Sequence, residues 1–147
     1  MKILIPVDGS KRSIEAASKG IEIANGMNAE IYAIYVVPSR NMLINKVISG
    51  DPIRIQEELN RLQMEEQRKG EEALSAVKNI FYTKFPRGKF FAKILEGDPK
   101  REILNFSETN NIDLIVMASS KIHDKFLFGS VAEHVLRNSS CSVMIVK

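Results

Sequence analysis

Apolar residues occur along the chain in two kinds of stretch. Short continuous runs alternate with longer segments in which apolar residues recur every three or four positions. That alternation predicts strands separated by helices, the pattern of a parallel α/β sheet. The first run, Ile3-Leu4-Ile5-Pro6-Val7, is continuous, as suits a strand buried on both faces. Asp8-Gly9-Ser10 breaks it, and Ile14, Ala17, Ile21 and Ala24 then mark one helical stripe that Gly26 is expected to close. A second strand is predicted over 29–37, ended by Pro38. Residues 39–50 show no clean period and read as a loop. Asp51 then offers an N-cap with Pro52 at the first helical position. Ile55, Leu59, Leu62, Ala73, Val77 and Ile80 mark the long helix that follows, and its polar middle, 65–70, is expected to stand clear of the core.

The third strand is predicted over 89–95. Gly97-Asp98-Pro99 repeats the turn, cap and proline signal, and Ile103 and Leu104 lie on the helix it starts. Leu114-Ile115-Val116-Met117 is again a continuous run and therefore a central strand. A loop over 118–129 leads to a short helix ending near Asn138, and 143–146 is the last strand. With no linker or internal repeat, the prediction is one domain over 1–147, with five strands and four helices.

Right-handed crossovers limit how such units wind. The simplest arrangement is an open parallel sheet in the order 3-2-1-4-5 with helices on both faces. Its winding reverses between strands 1 and 4, and ligands of open α/β sheets bind outside the strands' carboxyl ends at such a reversal. Two segments leave that point: Val7-Asp8-Gly9-Ser10 and 118–129.

Both segments carry residues with two readings. Gly129-Ser130 at a helix start is suited to an anion, because free N–H groups and the helix dipole converge there. Ser130-Val131-Ala132-Glu133 equally fits a capping box, which needs no ligand. Asp8 is placed to accept ribose hydroxyls or to hold magnesium through water. It is also an ordinary turn residue ahead of a helix capped by Ser10.

Composition narrows the choice. The 147 residues contain 44% hydrophobic and 27% charged positions, globular values that exclude a low-complexity chain. The 21 Lys and Arg against 18 Asp and Glu leave +3, too little charge to indicate nucleic acid. Lys11-Arg12, with Lys121 and Lys125, lie on the two loops beside the crevice and suit a small anion instead. The lone Cys141 has no partner for an intrachain disulfide. Residues 1–6 are too short for a signal-peptide core, and no run nears the roughly 20 apolar residues of a membrane helix. A cytoplasmic location is expected, so Asn105-Phe106-Ser107 and Asn138-Ser139-Ser140 read as chance glycosylation matches. His123 and His134 lack metal-ligand spacing, and neither dinucleotide nor Walker motifs occur. No general base or activated nucleophile can be assigned, so no catalytic residue is proposed and an enzymatic role is the least favoured reading.

Taken together and in order, several segments resemble the universal stress protein family over essentially the whole chain. They are Ile3-Leu4-Ile5-Pro6-Val7-Asp8-Gly9-Ser10, Glu96-Gly97-Asp98-Pro99, Asp113-Leu114-Ile115-Val116-Met117 and Gly129-Ser130-Val131-Ala132-Glu133-His134-Val135-Leu136. Cys141-Ser142-Val143-Met144-Ile145-Val146 looks like the family's last strand. The resemblance implies a Rossmann-like five-stranded sheet and a regulatory, stress-response module. It also implies a homodimer through the C-terminal strand, with ATP, alone or with magnesium, as ligand, and AMP or ADP as alternatives. By analogy Pro6, Val7 and Asp8 would lie against adenine and ribose, and Val36 would offer backbone contacts to the base. Met117 would line the pocket, with Ala118 and Ser119 at the start of the following loop, and Gly129, Ser130 and Val131 would hold phosphates.

The chain departs from the family's Gly-x2-Gly-x9-Gly-Ser/Thr pattern. The first glycine position is Ala118, the second is Lys121, and only 122–128 precede Gly129. Lys121 and Lys125 either supply phosphate charge in compensation or are ordinary solvated loop charges. Phe126 and Phe128 are expected to pack the loop onto the domain, with stacking on adenine the lesser alternative. The alternative function is a dimeric member acting through protein partners without nucleotide. Neither nucleic acid nor a membrane is expected as a partner.

Overall fold

Five strands form a single parallel sheet in the order β3-β2-β1-β4-β5. They are β1 (Lys2–Pro6), β2 (Glu30–Val37), β3 (Phe90–Glu96), β4 (Leu114–Ala118) and β5 (Ser142–Val146). The computed structural model describes residues 1–47, 50–119 and 129–147. β1 runs beside β2 from Lys2↔Glu30 to Pro6↔Ile34, and beside β4 at Ile3↔Leu114 and Leu4↔Ile115. Ile3, Leu4, Ile5 and Ile115 are fully buried, as their continuous apolar runs predict for central strands.

The two faces of the sheet carry separate cores. On one, α1 (Lys11–Met27) and α3 (Pro52–Lys84) set Ala17, Ile21, Val77 and Phe81 against Ile3, Ile5 and Ile31. On the other, α4 (Pro99–Thr109) and α5 (Ser130–Asn138) set Ile103, Ala132 and Val135 against Leu4, Ile34 and Ile115. Asp51 and Asp98 cap α3 and α4 through the N–H groups of Arg54 and Lys100, with Pro52 and Pro99 in the first turn.

Three expectations are corrected. Residues 39–50 are not simply a loop: Ser39 accepts from the Met42 N–H and starts a short helix, α2 (Arg40–Ile44), which buries Leu43. The described residues therefore contain five helices rather than four. Gly26 does not end α1, because the helix continues to Met27 and stops at Asn28 in the left-handed region, φ 51°. Asn tolerates that conformation, so the stop signal falls two residues later.

The middle of α3 does not stand wholly clear. Its charges do face solvent, where Arg68 pairs with Glu65 and Glu72, each at 2.6 Å. Gly70, however, is buried against β2, where an added Cβ would stand 2.8 Å from the Tyr35 ring. A glycine there lets the long helix pass close over an aromatic side chain.

Candidate functional site

β1 and β4 end side by side, and their chains depart toward opposite faces of the sheet: β1 feeds α1, and the segment after β4 feeds α5. The result is a crevice of about 760 Å³ at the carboxyl ends of the strands. That volume lies within the roughly 300–1,000 Å³ of small-molecule sites. Pro6, Val7, Asp8, Val36, Met117, Ala118, Ser119, Ser130 and Val131 all line it, and Gly129 adjoins it as the N-cap of α5. The sequence-predicted residues are thus brought together. Lys121 and Lys125, with Phe126, Phe128 and His123, lie outside the described residues.

Asp8 occupies the turn between β1 and α1. One carboxylate oxygen accepts from the Ser10 N–H at 2.9 Å, while Ser10 Oγ accepts from the Ser13 N–H at 3.2 Å. The turn reading of this residue therefore holds, and it leaves the crevice reading in place because Asp8 also lines the cavity. Burial pushes its carboxyl up, but hydrogen bonds from Ser10 and Ser13 outweigh this and leave the pKa below the ordinary 3.8. The group is an anion at neutral pH.

The other entrance differs from its prediction. Ser130 is not the N-cap of α5. Gly129 is, with φ 97° and ψ 154°, and among the described residues no side-chain cap hydrogen bond forms. The capping box does not form, since Glu133 is turned to Arg137 at 2.9 Å. Glycine admits a backbone conformation closed to other residues, and this shifts the helix start by one position. The first helical bond runs from the Glu133 N–H to the Gly129 carbonyl, leaving the N–H groups of Ser130, Val131 and Ala132 ahead of it.

Strand alternation sets the third element. The N–H of Glu30 and the carbonyl of Ile34 bond the β1 side, whereas Ile31 N–H and the Val37 carbonyl bond the β3 side. Val36 has the parity of Glu30 and Ile34, so its N–H and C=O face the β1 side, beyond Pro6, where β1 has ended. A donor and an acceptor from one residue thus face the crevice, whose apolar wall includes Val7, Ile34 and Met117.

Arg12 lines the crevice, as its expected place beside Lys11 suggests, whereas Tyr35, Pro99 and Ile103 escaped the sequence reading as site residues. Arg12 reaches from the first turn of α1 to the residue just past β4, where its Nη1 donates to Ser119 Oγ at 3.2 Å and to the Ser119 carbonyl at 3.5 Å. Tyr35, which also lines the cavity, has its phenol 3.5 Å from Glu66 Oε2. Burial, then the negative charges of Glu66 and Asp8, push that phenol up to about 12, so it stays a donor. Pro99 and Ile103 enter from α4. The Gly97-Asp98-Pro99 signal located that helix, but nothing in its spacing pointed to the crevice. Among the described residues no three His, Cys, Asp or Glu side chains form a metal-holding group, and no helix is long and apolar enough to cross a membrane.

An open parallel sheet with a ligand-sized crevice at its winding reversal defines a Rossmann-like α/β protein. The model of the universal stress protein family matches residues 1–147. A universal stress protein of Methanocaldococcus jannaschii is 40% identical over 148 residues, covering 99% of this chain and 81% of that one. The chain belongs to the universal stress protein family. Among solved structures, UspA of Lactobacillus plantarum matches with a TM-score of 0.81 at 23% identity, over 100% of this chain and 97% of the other. A universal stress protein of Archaeoglobus fulgidus, solved in complex with dAMP, matches with a TM-score of 0.72 at 20% identity, over 100% and 98%.

Proposed function

We propose that the crevice binds an adenine nucleotide and that the protein works as a nucleotide-responsive regulatory module. The observation that carries this reading is the pairing of two features in one cavity: the Val36 backbone donor and acceptor at the β1 side, and the uncapped first turn of α5. A base edge suits the first and a phosphate suits the second. Asp8, an anion at the intervening strand end, suits ribose hydroxyls. The family membership and the dAMP complex of the Archaeoglobus relative support the same ligand class.

The residues fit a nucleotide at three points: Gly129 has no side chain to block a phosphate, Val7 and Met117 offer apolar walls, and Asp8 offers the carboxylate. ATP is the first candidate, with magnesium supplied alongside, and AMP and ADP are the shorter alternatives. When bound, the nucleotide supplies the signal through its phosphates. The chain's own part is to orient base and phosphate from two different strand ends. Calorimetric titration of nucleotide-free protein with ATP, ADP and AMP, each with and without magnesium, tests this. Saturable heat with at least one of them is expected, and no response to any at millimolar concentration rejects the reading.

One observation favours a second role beside the first. β5 is an edge strand, and by the same parity argument its Val143 and Ile145 backbone groups face outward, because the Val146 carbonyl bonds inward to Ser119 N–H. An unpaired edge is a template for another strand. A homodimer joined through β5 covers it, and light scattering that reads a monomer up to millimolar protein rejects this.

A further inference from the structure

α4 has two working flanks. Pro99 and Ile103 line the crevice, whereas Glu102, Asn105 and Phe106 line a separate groove of about 450 Å³ over the outer part of the sheet. The groove exists because β3 is the edge strand on that side and α4 lies inward of it, so part of the β2–β3 face has no helix above it. Its floor is aromatic. Tyr32 of β2 and Phe91 of β3 stack with centroids 4.9 Å apart and planes at 22°, and Phe106 of α4 meets Tyr32 edge-on at 6.0 Å. Phe91 remains 48% exposed, so the ring stack is open on one side.

Charges of both signs stand around this floor, and among the described residues one cation is left without a partner. Lys93 follows Phe91 by two residues on the same face of β3, lines the groove, and makes no hydrogen bond or ion pair among the described residues. Lys2 Nζ sits 5.8 Å from the Tyr32 centroid and donates to the Asn110 carbonyl at 3.3 Å. The single acidic residue of the lining, Glu102, folds toward the strand's far end, where a Cβ added at Gly97 would meet its Oε1 at 2.8 Å. Lys2 therefore lies at the Tyr32 end, where Glu30 Oε2 also accepts from the Tyr32 hydroxyl at 3.3 Å, and Lys93 follows Phe91 along β3 toward Gly97.

We propose that this groove is a second ligand site, distinct from the crevice, for a small flat aromatic acid. The ligand's ring extends the Tyr32–Phe91 stack, its acid group meets Lys93, and the Asn105 amide serves polar substituents on the α4 side. Stacking rings offset over one another is a favoured aromatic geometry. A lysine freed of other partners suits a carboxylate as a point charge. The volume is that of a small-molecule site, at the lower end of the range of about 300–1,000 Å³.

The test uses the intact chain and 2-naphthoate as probe, followed by its fluorescence, with the neutral 2-naphthamide as control. Saturable one-to-one binding that saturating AMP does not displace is expected. Phe91→Ser is expected to weaken both probes by about tenfold. Lys93→Gln is expected to weaken 2-naphthoate alone, by about threefold to tenfold. Both positions are exposed, and unchanged thermal melting verifies that the variants fold. The proposal is overturned by binding that does not saturate below about 1 mM, by affinity unchanged in both variants, or by displacement with AMP, which places the probe in the crevice. Equal loss of the two probes in Lys93→Gln rejects the acid preference.

Discussion

Two helices begin at the crevice, and they begin differently. α1 is closed by its own sequence: Ser10 Oγ takes the Ser13 N–H, and Asp8 takes the Ser10 N–H. α5 starts at Gly129, and among the described residues no side-chain cap hydrogen bond closes its first turn. Unsatisfied N–H groups at a helix start need a partner, whether side chain, water or ligand. Among the described residues, the chain therefore caps one entrance with its own side chains and leaves the other without such a cap. The contrast also distinguishes two serines that look alike in sequence. Ser10 is a cap, whereas Ser130, one residue inside its helix, is not.

The contrast can be broken most severely at Gly129. Its φ of 97° and ψ of 154° lie in a region essentially closed to other residues. Gly129→Ala is expected to lower unfolding free energy by about 1–3 kcal/mol and to reduce nucleotide affinity with it, read by denaturant titration and calorimetry. A variant as stable as the parent removes the argument that backbone geometry shapes this entrance. Next in size is Ser10→Ala, which removes a side-chain cap and should cost about 0.5–2 kcal/mol. Ser130→Ala, by contrast, should stay within about 0.5 kcal/mol of the parent while weakening nucleotide binding. Equal losses of stability in the two serine variants would erase the distinction between them.

The smallest effect is electrostatic. The Asp8 pKa is lowered in the folded protein, so its ionised form contributes stability that is complete above the ordinary value of 3.8. That contribution is lost as the pH falls from there through the lowered folded value. Asp8→Asn should flatten this part of the acid-unfolding profile and leave the neutral-pH part unchanged in shape. An unaltered acid limb would show that Ser10 and Ser13 do not favour the carboxylate.

Much of this architecture was legible in the chain. Buried central strands must be continuously apolar, so Ile3 to Val7 and Leu114 to Met117 fixed the sheet's centre, and winding rules then located the crevice. The chemistry at the strand ends was less legible, because one signal serves two physical ends. Ser130 with Glu133 matches a capping box by spacing, yet a glycine just before it takes the cap position through a conformation that spacing does not express. α2 was missed for a related reason. Its five residues have too few turns to show a period, and Leu43 is held by packing rather than by local pattern. The Arg12 contact with Ser119 joins residues 107 apart, so no local motif carries it. The aromatic groove likewise draws Tyr32, Phe91 and Phe106 from three elements: strand register aligns the first two, and the packing of α4 brings the third.

α3 has 33 residues, and at a rise of 1.5 Å each it is about 50 Å long. A compact chain of this size has a radius of gyration of about 15 Å, equivalent to a sphere about 38 Å across. The helix is therefore longer than the body that it braces, with Leu43 and Leu59 both buried where α2 meets its leading half. A single protomer of this shape does not tumble as a sphere. Amide vectors along α3 lie near the long axis of rotation, and those of strands crossing it do not. Nitrogen-15 relaxation rates should consequently fall into groups set by orientation, even where every residue is equally rigid.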